Sequence, residues 1–257
     1  MVKRELRLAF ELARCELLSE FRQSFVGAAW LLITPLLGSV SWILLTFAGV
    51  FHPGTNSVSR PVFLAAGTVI WGFFLNIFYQ CSSMPERDHA YLQFCGFPKY
   101  VLVLRIILFQ AMPFLAGSIL ILCIATLTDA KLSWTSAMFP LAIIPVAISA
   151  AALGISSAAL GMLADSMRKL LCSGVAFLLY VTPVIYLPQS DEVPHWLQTV
   201  ADINPLSPMI CAYRSLLVTG ESFSLTALAG STLGAVVLFG LSWSAFCRLL
   251  PVFAEKE

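Results

Sequence analysis

Residues 132–164 read LSWTSAMFPLAIIPVAISAAALGISSAALGMLA, thirty-three consecutive positions without an Asp, Glu, Lys or Arg. An α-helix rises about 1.5 Å per residue, so roughly 20 apolar residues cross the ~30 Å hydrocarbon core of a bilayer. This run exceeds that length. The rest of the chain repeats the pattern: of 257 residues, 59% are hydrophobic and 11% charged, against about 25% charged in a soluble domain. The mean hydropathy is +0.87. Dividing the sequence at every charged residue leaves further uncharged runs of spanning length at 23–59, 61–85, 106–128, 170–190 and 222–247. The reading is an all-α polytopic membrane protein, a single transmembrane domain over 1–257 with six transmembrane helices.

Two segments outside these runs have their own character. Over 3–22, Leu6, Phe10, Ala13, Leu17 and Phe21 recur at helical spacing while Arg7, Glu11 and Arg14 line another face. This predicts an amphipathic helix in the membrane interface, with Arg7, Arg14 and Arg22 as its basic residues. Its charges are spread throughout instead of preceding a short apolar core, so no cleavable signal peptide is expected. The second segment, 188–221, contains the uncharged piece INPLSPMICAY (203–213), which carries two prolines and is too short to cross a bilayer. It predicts re-entrant or interfacial helices between spans five and six. Small residues at four-residue spacing, Ala150, Gly154 and Ala158 in span four and Gly230 and Gly234 in span six, predict close helix packing, within or between subunits.

Orientation follows from the positive charges. With the N-terminus inside, the inner segments hold Lys3, Arg4, Arg7, Arg14, Arg22, Arg87, Lys99, Arg105, Arg168, Lys169, Arg248 and Lys256. The outer ones hold only Arg60, Lys131 and Arg214. The positive-inside rule then predicts both termini in the cytoplasm.

Residues 84–101, MPERDHAYLQFCGFPKYV, interrupt the apolar pattern and fall on the cytoplasmic side between spans two and three. One reading is a solvated loop whose charges hold the orientation. The other is a contact segment for a partner.

Several chemistries are disfavoured. The three histidines, His52, His89 and His195, fall in loops, and the seven cysteines form no C-x-x-C pair, so no catalytic or metal site is expected. Ion-coupled transporters usually carry ionisable groups at depth, and these runs are free of Asp, Glu, Lys and Arg. No Gly-Lys pair occurs, so the chain lacks the G-x-x-x-x-G-K-[ST] loop that cradles nucleotide phosphates. If ATP drives this protein, a separate chain hydrolyses it. Nothing in the charge points to nucleic acid.

Three strings in order then resemble the membrane subunit of ABC-2 type exporters of the polysaccharide branch, which secrete O-antigen, capsule or teichoic acid. The first is FRQSFVGAAWLLITPLL (21–37), with Arg22, Ser24, Gly27, Trp30 and Pro35. The second is the charged stretch ending in Phe97-Pro98-Lys99. The third is Thr182-Pro183-Val184-Ile185-Tyr186, followed by Asn204-Pro205 and Tyr213-Arg214. The likeness covers nearly the whole chain.

The resemblance implies a homodimer in the bacterial cytoplasmic (inner) membrane, bound to two copies of a cytoplasmic ABC ATPase that carries the ATP and Mg. No cofactor is expected on this chain. The substrate it implies is a polysaccharide, lipid-linked or free, with membrane lipids and further envelope export proteins as other partners. Segment 85–99 then becomes the ATPase-coupling element, with Glu86, Arg87, Asp88, His89, Tyr91, Phe97 and Pro98 as its residues. Trp30, Trp71, Phe74, Tyr180 and Tyr186 are candidates for the translocation path, because aromatic rings stack on sugar C–H faces; packing between helices is their competing role. The alternatives are an ABC-2 permease for drugs or small lipophilic molecules, and a stand-alone secondary transporter.

Overall fold

The computed structural model describes residues 2–23, 60–94, 96–127, 134–186, 193–220 and 223–254, with single positions between 29 and 48. Among the described residues there is no strand. The helices are α1 (Val2–Gln23), α2 (Arg60–Ser82), α3 (Met84–Arg87), α4 (His89–Gln93) and α5 (Tyr100–Leu127), then α6 (Ile143–Leu163), α7 (Asp165–Val181), α8 (His195–Ile203), α9 (Ser207–Arg214) and α10 (Leu225–Ala254). A 3-10 segment (Trp134–Ala142) leads into α6, and a π turn (Ser215–Thr219) ends α9.

Among the described residues, four helices are long and apolar enough to cross a membrane: Val62–Ser82, Tyr100–Thr126, Ser136–Leu163 and Leu225–Pro251. The protein is therefore a membrane-embedded helical bundle. The first of the six expected spans, 23–59, lies outside the described residues apart from those single positions. The fifth is represented by α7, whose 17 residues open with the charged turn Asp165–Lys169. Residues 165–169, which separate the uncharged runs 132–164 and 170–190, are thus helical. Asp165 bonds to Arg168 and Lys169 at i+3 and i+4, and an acid suits the positive end of a helix.

Helix α6 lies at the centre, packed against α2, α7 and α10. Its small residues explain this. A Cβ on Gly154 would stand 2.7 Å from the Phe78 carbonyl oxygen and 2.6 Å from Cys81 Cβ, so α2 and α6 meet backbone to backbone. Hydroxyl pairs flank the contact, Ser82 with Ser157 at 2.8 Å and Ser156 with Ser242 at 2.6 Å, joining α6 to α2 and α10. Gly230 and Gly234 behave differently: a Cβ on either meets nothing within 4 Å. The close approach expected there is not made among the described residues. Leu233, Val236, Val237 and Leu241 on the same helix point outward, as they would toward lipid.

Candidate functional site

The charged stretch forms two helices too short to stand alone. Their position comes from what they touch. Pro85 at the start of α3 needs no amide partner there, and Met84, Pro85 and Leu92 are buried as apolar anchors. Gly96, at φ 98°, takes a left-handed conformation that favours glycine, and turns the chain so that Phe97 packs 5.5 Å from Tyr91.

The charges in this stretch divide. Glu86, Arg87 and Tyr91 are exposed, while His89, Phe97 and Pro98 are half-buried. Asp88 is buried instead of facing a partner. Its Oδ2 accepts from Arg105 Nη2 at 2.8 Å and Arg87 Nη2 at 3.2 Å. Arg105, also buried, enters from the second turn of α5, and its Nε lies 3.3 Å from Glu16 Oε2 on α1. Two cations and two carboxylates thus close a neutral group, the condition for keeping such charges out of water.

On the other side, Glu86 Oε1 is 2.9 Å from Arg168 Nη2, which is also 2.8 Å from Asp165 Oδ1, while Lys169 Nζ is 2.6 Å from Asp165 Oδ2. Hydrogen bonds from Lys169 and then Arg168 hold the Asp165 carboxyl below the usual carboxylate range.

An open cleft of about 710 Å³ lies between α1 and the turn before α5. Arg4, Glu5, Arg7, Leu8 and Glu11 line one wall, and Phe94, Gly96, Phe97 and Pro98 the other. Of the three basic residues singled out on α1, Arg7 lines this cleft, Arg14 is 3.7 Å from Glu11 on the surface, and Arg22 is exposed in the last turn. Helix α1 buries Ala9 and Ala13 against α5, leaving Leu6 and Phe10 half-exposed beside the basic face.

At the other end of the bundle, the motif residues of the third string converge. Asn204 Nδ2 donates to Thr182 Oγ1 at 2.9 Å, and Asn204 Oδ1 accepts from the Leu206 amide at 3.0 Å. Arg214, 3% exposed, donates to the Pro183 carbonyl at 2.6 Å and to the Val184 carbonyl, and lies 3.8 Å over the Phe63 ring. Gly67 makes the room: a Cβ there would collide with the guanidinium. Tyr213 reaches Ser118 on α5 at 2.8 Å. The segment after α7 is thereby locked to α2, α5 and α7.

The four path candidates among the described residues are not brought together. Trp71 and Phe74 are buried in the bundle core, their ring centroids 5.3 Å apart. Tyr180 is exposed, 6.4 Å from the exposed ring of Phe177. Tyr186 donates to the Val181 carbonyl at 2.6 Å, and Trp30 lies outside the described residues. Sequence reasoning missed Glu16, Arg105, Asp165 and Arg168 as members of ionic groups. The available signal was Arg105, directly bordering the uncharged run 106–128, where a charge requires a partner.

The model of the ABC-2 type transporter family matches residues 8–218. The O-antigen export system permease protein RfbA of Klebsiella pneumoniae is 24% identical over 242 residues, covering 91% of this chain and 89% of that protein. The protein of the same name from Myxococcus xanthus is 21% identical over 249 residues, covering 97% of this chain and 95% of its own length.

Proposed function

Because the chain belongs to the ABC-2 type transporter family, we propose that it is the permease of an ATP-driven exporter that carries a cell-surface polysaccharide, of O-antigen or capsule type, across the bacterial cytoplasmic membrane. The carrying observation is the near end-to-end likeness to proteins named O-antigen export permeases. As a permease subunit, the chain leaves ATP and Mg to a partner ATPase, consistent with a sequence that lacks the phosphate-binding loop.

In this reading two copies of the chain enclose the path and two ATPase subunits bind below. Residues 23–59 supply the first of six spans, α7 with the residues after it the fifth, and 188–221 a re-entrant outer segment. The positive-inside rule puts α1, segment 85–99 and the α6–α7 turn in the cytoplasm. The ATPase docks there, on the exposed Glu86, Arg87 and Tyr91 and into the cleft between α1 and Phe94–Pro98. Tyr180 and Phe177 offer aromatic faces to the polymer or to the second copy. Trp71 and Phe74 serve packing in the conformation described.

Deleting the gene in its bacterium tests the function. The expected result is polymer retained inside the cell and missing from the surface, restored by a plasmid copy. Unchanged surface polysaccharide, with new sensitivity to lipophilic drugs, contradicts it and favours efflux.

A further inference from the structure

We infer that Arg105 and Arg168 are positioning residues, two ionic arms that transmit movement of segment 84–93 to the membrane helices. The inference rests on reading that segment as the ATPase contact. Glu86 lies on α3 and Asp88 in the turn between α3 and α4, and their carboxylates reach different membrane helices. Asp88 grips Arg105 at the base of α5 and, through Arg105, Glu16 on α1. Glu86 grips Arg168 at the base of α7.

The apolar anchors Met84 and Leu92 hold the segment in place but fix no direction, because burial is non-directional. The ion pairs supply direction. The second arm is shaped as well as charged: a Cβ on Gly161 would stand 3.1 Å from Arg168 Cβ and Cδ. Glycine at the end of α6 thus leaves a channel through which the Arg168 stem runs toward Glu86. The first arm is buried and the second partly exposed. Asp88 therefore acts on export through the two arginines it holds, Arg105 toward α5 and Arg87 toward the surface, while Glu86 reaches both the partner and Arg168.

The test uses the full complex, with the chain and its ATPase co-expressed and polymer exported per ATP hydrolysed as the readout. Arg168→Glu is expected to keep membrane level, bound ATPase and ATP hydrolysis, yet lower that ratio about tenfold. Adding Glu86→Lys, which restores an opposite-charge pair, is expected to recover at least about half of it; because Glu86 also faces the partner, the ratio is compared at equal bound ATPase, with Glu86→Lys alone as the control. A loss of folding lowers membrane level and hydrolysis together, so a fall in the ratio alone marks transmission. Wild-type export per ATP in Arg168→Glu, or a double variant no better than the single one, overturns the inference. Absence of any ATPase from the wild-type complex overturns the underlying reading instead, whatever Arg168 does.

Discussion

Gly154 and Gly234 share the same small-residue spacing in sequence and meet opposite surroundings. Spacing reports that a helix has a smooth side; it does not report whether another helix lies on that side. Gly154→Val forces side chain into the Phe78 backbone, with an expected loss of about 1–3 kcal/mol, read as a lower thermal unfolding midpoint in detergent. Gly234→Val in the same assay is expected to stay within about 0.5 kcal/mol. Arg214 makes a second prediction at this scale. Arg214→Met leaves the buried Pro183 and Val184 carbonyls without their donor, a cost of about 1–3 kcal/mol for each unsatisfied group. Arg214→Lys, with one compact ammonium in place of a planar fork, is not expected to recover it fully. The same midpoint decides both. In the sequence Arg214 stood as an outer charge and as the end of the Tyr213-Arg214 string, but its buried role was not legible, because it requires Gly67 and Phe63, which are far away in the chain.

Among elements, α1 shows how far periodicity reaches. The helix is legible in the recurrence of Leu6, Phe10, Ala13 and Leu17, but Ala13 turns out to pack on α5 while Leu6 and Phe10 stay exposed. One apolar stripe in sequence serves two surfaces, and only the position of α5 divides them. With Phe10→Cys carrying an environment-sensitive dye, quenching by lipid-borne quenchers is expected to exceed that of a dye at Arg14→Cys by several-fold. Equal quenching at both positions contradicts the interfacial placement. The charged stretch 84–101 divides similarly. Four adjacent charged or ionisable side chains read as one handle, whereas Asp88 turns inward and Glu86 and Arg87 outward. The cause is Arg105, whose buried guanidinium demands a carboxylate close by.

At the scale of the molecule, uncharged run length was enough to identify a membrane-embedded helical bundle, because hydrocarbon admits little else. Run length said less about the path. Aromatic content singled out Trp71 and Tyr180 equally, while the bundle buries one and exposes the other; that difference depends on packing between helices distant in sequence. A membrane-impermeant maleimide applied to detergent-solubilised protein lacking its native cysteines is therefore expected to modify Tyr180→Cys rapidly and Trp71→Cys at least about tenfold more slowly, as burial limits access. Equal rates contradict the core position of Trp71. The central claim, a permease powered by a separate ATPase, is tested most directly by reconstitution into proteoliposomes, following ATP-dependent transfer of the bacterium's own surface polysaccharide across the bilayer. The account predicts transfer only when this chain and the ATPase are both present and ATP is hydrolysed. Transfer by this chain alone, without ATP, contradicts it.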